Sequence, residues 1–273
     1  MIKACLFDLD GTLIDEKGLL YPNLERILRK RSFKMSILTG RSFPRYMQAV
    51  NQNPALIPDM PVALEHGGRI VAWKKGTPNQ IFYTPLTTYD HVCIKEYVEN
   101  QSKKLCSLSF FPEEIQAPPV LWIADRDELL RLNLAHTVGA TIYTKDQKEE
   151  FFEEMKNKKP STITCRTSPG TNPEIPEGLH YYTEGRNINF LPVGVDKGIA
   201  TKIILTYVEL SANKVLGVGN DYNDISFLRV VGTPVLVGED IPKEMLNLLP
   251  KNTILIPDKK HLGAEISKMV KKQ

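Results

Sequence analysis

Ile2-Lys3-Ala4-Cys5-Leu6-Phe7-Asp8-Leu9-Asp10-Gly11-Thr12 opens the chain, and its reading decides the fold. Ile2–Phe7 is a short, mostly apolar run rich in strand formers, the pattern of a strand buried on both faces. It stops at two acids, Asp8 and Asp10, followed by a glycine suited to a turn. Residues two apart on a regular strand share a face, and the turn at Gly11 lets both carboxylates project beyond the strand end. In open α/β sheets that end is where ligands bind. A carboxylate placed there can attack phosphorus, and a second one two residues on can protonate a leaving oxygen and later deprotonate water. The plainer alternative is a turn whose Asp side chains only cap backbone groups.

Working outward, Leu24, Ile27 and Leu28 recur at helical spacing through Pro22–Arg31. Met35–Leu38 predicts a second buried strand ending at Thr39-Gly40, and Pro44–Val50 a short helix with Ser42 as its cap. Val62–Leu64 and Arg69–Trp73 flank a turn at Gly67-Gly68. Towards the C-terminus the alternation is regular. Helices over Lys197–Leu210, Ile225–Val230, Pro242–Leu249 and Leu262–Lys271 interleave with strands over Val215–Val218, Pro234–Val237 and Thr253–Ile256. Strands alternating with helices predict an α/β fold, a doubly wound parallel-sheet (Rossmann-like) core. Between residues 84 and 188 that rhythm is lost. Strand-like Val120–Ala124, Thr141–Tyr143, Ser161–Cys165 and His180–Thr183 mix with helical Tyr89–Gln101, Asp127–Leu134 and Lys145–Lys159, and prolines in Thr167–Pro176 predict a loop. An inserted α+β domain over 84–188, within a core of 1–83 and 189–273, is the simplest account. Phe110-Phe111, Phe151-Phe152 and Trp122 read as the core of that insertion.

Bulk properties narrow the classes. The 273 residues are 42% hydrophobic and 25% charged, and 35 basic against 32 acidic residues leave a net charge of +3. No basic block exceeds the Lys268–Lys272 tail, so nothing calls for nucleic acid as a partner. No window approaches the ~20 apolar residues of a membrane span, and the first residues place acids where a secretory leader needs an apolar run. Cys5, Cys93, Cys106 and Cys165 have no metal-ligand spacing and read as reduced thiols. The expectation is a cytoplasmic protein with no membrane partner; the sequence sets no oligomeric state.

Phe7-Asp8-Leu9-Asp10-Gly11-Thr12-Leu13 resembles the first motif of the haloacid dehalogenase superfamily, chiefly Mg²⁺-dependent phosphatases. Ser36-Ile37-Leu38-Thr39-Gly40-Arg41 resembles the second motif, Lys197 in Val195-Asp196-Lys197-Gly198 the third, and Gly219-Asn220-Asp221-Tyr222-Asn223-Asp224 the fourth. The likeness covers roughly residues 1–82 and 190–273. The insertion between the second and third motifs is similar in position and size to the cap of the Cof-like and sucrose-phosphatase-like branches. The resemblance implies a catalytic pair, Asp8 as nucleophile and Asp10 as acid and base. It implies phosphate binding by Thr39, Gly40, Lys197 and Asn223, with Asp224 orienting the lysine. Mg²⁺ is the implied cofactor, held by Asp8, the backbone carbonyl of Asp10 and the acidic loop. That loop departs from the usual Gly-Asp-x-x-Asn-Asp, since Asn220 stands where an Asp is expected. Asn220 would offer an amide oxygen and Asp221 the missing charge, Mg²⁺ preferring hard oxygen ligands.

Physical reasons stand beside the resemblance. Phosphoryl transfer needs positioning and charge neutralisation. Lys197 opens a helix, so its ammonium and the helix N-terminus both favour an anion. Arg41 and Arg45, His66 in Glu65-His66-Gly67-Gly68, and Arg186 in Glu184-Gly185-Arg186-Asn187, where the chain should return to the core, are candidates for substrate contact. The expected function is hydrolysis of a small phosphate ester, a sugar phosphate first among them. The alternatives are a phosphomutase of the same fold and a non-catalytic sugar-phosphate binder.

Overall fold

The structure is a computed structural model describing residues 1–21, 24–124, 139–171, 174, 175 and 177–271. In chain order its strands begin with β1 (Ala4–Asp8), β2 (Lys34–Leu38), β3 (Val62–Leu64), β4 (Arg69–Lys74) and β5 (Thr77–Tyr83). They continue with β6 (Leu105–Phe110), β7 (Val120–Ile123), β8 (Thr141–Thr144), β9 (Ile163–Thr167), β10 (His180–Glu184) and β11 (Asn187–Leu191). The last are β12 (Val215–Gly219), β13 (Thr233–Val237) and β14 (Ile254–Ile256). The helices are α1 (Leu24–Arg29), α2 (Phe43–Gln52), α3 (Thr88–Asn100), α4 (Lys148–Lys158), α5 (Lys197–Tyr207), α6 (Ile225–Leu228), α7 (Lys243–Leu248) and α8 (Leu262–Lys271).

β1 is buried at every position, as its apolar run requires, and lies inside an eight-stranded sheet ordered β14-β13-β12-β1-β2-β3-β4-β5. From β14 through β3 all neighbours run parallel, and β4 returns antiparallel to β3. The chain moves from β1 outward to β2 and β3, then restarts on β1's other side at β12. The crevice beyond the β1 and β12 ends is therefore a topological switch point, where such sheets take their ligands. The register places Asp8 opposite Leu38 and Phe7 opposite Val218. One strand end thus carries Asp8, Thr39 and the loop after Gly219. Ala4, Leu6, Leu38, Ala63, Ile204, Phe227 and Leu236 pack in one cluster against this sheet.

The chain divides into two compact units, Met1–Arg41 with Arg45–Phe82 and Asp196–Gln273, and Ser42–Pro44 with Tyr83–Val195. The second unit holds a six-stranded sheet ordered β10-β11-β9-β6-β7-β8, antiparallel except for β7 with β8. Its core gathers Phe110, Trp122, Phe151, Phe152, Ile163 and Phe190, the expected aromatic pairs included apart from half-buried Phe111. β6, which lies between β7 and β9, was not among the expected strands.

The boundary expected at 188 falls inside β11, whose Leu191 pairs with His180 across a hairpin. Glu184-Gly185-Arg186-Asn187 is accordingly a turn within the smaller sheet, not the return to the core. The reason is packing: Ile188 and Phe190 bury their side chains in the second unit's core. Ser42 does not cap α2, since its buried hydroxyl has no hydrogen-bond partner among the described residues. Pro44 in the first turn has no N–H to offer it. The helix expected over Asp127–Leu134 lies outside the described residues. All four cysteines are free, three of them buried. No helix among the described residues is long and apolar enough to cross a membrane.

Candidate active site

Lys197 is the first residue of α5, and three local features drive it into the interior. Asp196 caps the helix, its side chain accepting from Ile199 N at 2.7 Å. At Gly198 a Cβ would come within 2.6 Å of the Ser226 carbonyl oxygen, so the helix start can press on the α6 segment only without a side chain. Gly67, with φ +106°, similarly lies against the Asp196 carbonyl, where a Cβ would approach to 2.4 Å. Lys197 is 1% exposed as a result. Its Nζ donates to Asp8 Oδ1 at 2.6 Å and to Asp224 Oδ1 at 2.7 Å, and lies 3.4 Å from Asn223 Oδ1.

Asp224 is wholly buried, and its second oxygen accepts from Asn220 N at 2.8 Å and Asp221 N at 3.0 Å. Gly219 leaves room for it, since a Cβ there would meet the Asp224 side chain at 2.5 Å. Burial alone would lower the Lys197 ammonium, but the carboxylates of Asp224 and Asp8 overcome it and raise it. Burial, then the charge of Asp224, push the Asp8 carboxyl well above its usual range against the pull of Lys197.

Thr39 follows the partner of Asp8 in the sheet and is 1% exposed; its Oγ accepts from Arg41 N at 3.1 Å. Arg41 grips the other acid: its Nη2 lies 2.6 Å from Asp10 Oδ1 and its Nε 2.9 Å from Asp10 Oδ2. This bidentate geometry is the favoured one for a guanidinium and a carboxylate. The Arg45 carbonyl accepts from Arg41 Nη1 at 3.4 Å. His66 lies beneath this turn, 3% exposed, with its ring so close to Gly40 that a Cβ there would come within 2.5 Å of Cε1. Burial, and next the charge of Lys197, push the His66 imidazole down to about 3, which keeps it neutral. Glu65 and His66 both adopt φ 54°, a conformation unusual outside glycine. The buried ion pair of Glu65 with Arg69 at 2.9 Å, extended to Gln80 by Arg69 Nη1 at 2.7 Å, braces that turn.

In the acidic loop the Asp221 carboxylate accepts from Tyr222 N at 2.6 Å and closes a capping box with Asp224. The side-chain amide of Asn220 is set by its surroundings. Turned so that its nitrogen faces them, it donates to Thr12 Oγ1 at 2.8 Å, Asp8 Oδ2 at 3.1 Å and the Asp10 carbonyl at 3.2 Å. In the other orientation its oxygen accepts from Thr12 Oγ1 at 2.8 Å and stands beside Asp8 Oδ2 and the Asp10 carbonyl, the grouping of hard oxygens that suits Mg²⁺.

Residues 5–244 match the family description haloacid dehalogenase-like hydrolase. The chain belongs to this family. A Metamycoplasma hominis protein carried under a phosphatase name is 24% identical to this hydrolase over 270 residues, 90% of each chain. A Cof-like hydrolase from Plasmodium vivax superposes with a TM-score of 0.75 at 17% identity, covering 100% of this chain and 96% of that one. A structure titled as a subclass IIB sugar phosphatase gives 0.71 at 15% identity over 99% of both chains. At these identities the structural likeness establishes the fold.

The hydrolase has a donor set that fits Mg²⁺. Among the described residues no three His, Cys, Asp or Glu side chains gather as a metal cluster. Asp8 Oδ2 and the Asp10 carbonyl nevertheless lie within 3.2 Å of one atom of the Asn220 side-chain amide. Both are hard oxygens, and a site with few protein ligands suits an ion that keeps several waters.

The sequence singled out some of this hydrolase's groups for other tasks, or not at all. Arg186 belongs to the second unit, where its Nε donates to the Thr167 carbonyl at 2.7 Å and its Nη2 lies 3.2 Å from Cys106 Sγ. Thr12, Asp196 and Ser226, whose Oγ accepts from Gly198 N at 3.0 Å, position the loops and were not singled out. An Asp immediately before a helix-opening Lys was the available signal for Asp196. Nothing local marks the others.

Proposed function

We propose that this enzyme, a phosphatase, is a Mg²⁺-dependent hydrolase of small phosphate esters, sugar phosphates foremost, acting through an aspartyl-phosphate on Asp8. The observation that carries the reading is the Lys197 ammonium held between Asp8 and Asp224 at the C-terminal edge of the parallel sheet. It holds a buried carboxylate in place and puts a fixed positive charge where phosphoryl oxygens would gather. In this reading the Asp8 carboxylate attacks phosphorus, the ester P–O bond breaks, and Asp10 gives its proton to the departing oxygen. Asp10 then takes a proton from water, which attacks the aspartyl-phosphate and restores Asp8 with release of phosphate. The Thr39 hydroxyl, the Gly40 amide, Asn223 and Lys197 bind the transferring group, while Arg41 holds Asp10 to one side. Asp8, the Asp10 carbonyl, Asn220 and Asp221 would hold Mg²⁺, which supplies positive charge against the phosphoryl oxygens when bound.

Support for a sugar phosphate comes from the inserted second unit, proposed as a cap that selects the leaving group, and from the subclass IIB neighbour named as a sugar phosphatase. The test is a screen of sugar phosphates for phosphate release, with Mg²⁺ and with EDTA, scoring isomer formation in parallel. Metal-dependent release, abolished in Asp8→Asn by several orders of magnitude, is expected. Substantial turnover by that variant would exclude Asp8 as the nucleophile. Isomer formation without phosphate release would make the enzyme a mutase, and silence towards every ester would leave a binder.

A further inference from the structure

Beyond Leu38 the pairing of β2 with β3 runs on into the loop proposed to bind phosphate. Thr39 N donates to the Ala63 carbonyl at 2.9 Å, His66 N to the Thr39 carbonyl at 3.1 Å and Glu65 N to the Arg41 carbonyl at 3.0 Å. The turn that makes the last two bonds is left-handed at three consecutive residues, Glu65 and His66 at φ 54° and Gly67 at φ 106°. Left-handed backbone outside glycine persists only where its surroundings over-determine it, and it gathers at functional sites. Here each residue has its own anchor. Glu65, 3% exposed, is tied to Arg69, itself 1% exposed. Gly40 rests on the His66 ring with no room for a Cβ between them, and Gly67 packs in the same way on the Asp196 carbonyl, just ahead of Lys197. One turn therefore touches both the Thr39-Gly40 loop and the helix start that carries Lys197, two parts of the site far apart in sequence.

We propose that Glu65-His66-Gly67 is a clamp that sets the Thr39–Arg41 loop against the Lys197 helix start. Glu65, His66 and Arg69 are then positioning residues, which act through the loop and not on the substrate. The proposal rests on reading Thr39, Gly40 and Lys197 as the groups that bind the transferring phosphoryl. Such groups work because they are fixed before the reaction, so a small displacement of either half of the site lowers the rate. Glycine would adopt the left-handed turn at less cost. It would supply neither the carboxylate that pairs with Arg69 nor the ring beneath Gly40.

The full-length parent is compared with two variants. Glu65→Met combined with Arg69→Met replaces the buried ion pair by apolar side chains, an exchange that folds often tolerate, and leaves His66 in place. His66→Gly removes the ring and keeps the left-handed turn accessible. Each protein is measured for melting temperature, and then, well below melting, for kcat and KM on 4-nitrophenyl phosphate and glycerol 1-phosphate. Inhibition by orthovanadate is measured alongside, since it mimics the transferring phosphoryl group and carries no leaving group. In both variants vanadate inhibition should weaken, and kcat should fall on both esters, by about 10-fold or more. Unchanged vanadate inhibition and kcat in either variant that folds overturn the clamp. A loss confined to KM on one ester in His66→Gly overturns it too, by making His66 a substrate contact. A parent that hydrolyses neither ester and binds no vanadate overturns the phosphoryl-site reading itself and the clamp with it, an outcome distinct from failure of the clamp alone.

Discussion

Replacing Lys197 with methionine keeps an unbranched side chain one atom shorter and removes the ammonium, its charge and its hydrogen-bond donors together, which tests the role of that group. The side chains of Lys197, Asp8 and Asp224 are 1%, 8% and 0% exposed, so water cannot take over the lost contacts. Both carboxylate oxygens lie within 2.7 Å of the same nitrogen, hence at most about 5 Å apart. Two unit charges at that separation repel by about 3 kcal/mol at an effective dielectric constant of about 20. Breaking a buried ion pair from one side typically costs about 3–5 kcal/mol, so a loss of about that size is expected near pH 7.5. The sign with pH follows from the carboxyls. Without Lys197 the folded-state proton affinity of the Asp8 carboxyl rises further above its unfolded value, so the fold binds more protons than the unfolded chain. Stability is retained at low pH and lost as pH rises, so the deficit should be smaller at pH 5 than at pH 8. Urea unfolding followed by tryptophan fluorescence measures it. Trp73 lies in the core unit and Trp122 in the other, so a Trp122→Phe background reports the core alone. Adding Asp8→Asn removes one of the stranded charges and should recover a substantial part of the loss. A deficit below about 1 kcal/mol, or one that does not change with pH, would refute the counter-ion role of Lys197.

His66 should make the fold acid-sensitive. Its folded pKa of about 3 lies below the unfolded value of 6.5, so below pH 6.5 the unfolded chain takes up a proton that the fold refuses. The cost is absent above that pH and grows to about 2 kcal/mol at pH 5. Asn tolerates the positive φ at this position, so His66→Asn should lack that share of acid destabilisation; parallel pH profiles for the two proteins would contradict it. Asp10→Asn should slow hydrolysis strongly for alkyl phosphates and much less for nitrophenyl phosphate, whose oxygen departs without a proton. An equal loss on both would argue against Asp10 as the acid.

The sequence determined on its own where the reactive groups begin. A buried strand that halts at Asp8, a second that halts at Thr39, and Lys197 and Asp224 at later helix starts are all local patterns, set by hydrophobic period and turn chemistry. A parallel sheet brings such strand ends to one edge, so the core was legible from spacing, while the candidate site residues were named by the resemblance of its motifs. Pairing across the fold was not. Arg41 read as a substrate contact and grips Asp10, while His66 read the same way and lies buried beneath Gly40. Each outcome depends on which polar group long-range packing brings within about 3 Å, and a buried acceptor selects a donor whatever the local sequence favours. The same holds for β6 and β11, short segments with weak alternation of their own. Only the pairing of β11 with β9 and β10, and the burial of Phe190, made 187–191 a strand of the smaller sheet rather than the start of the core.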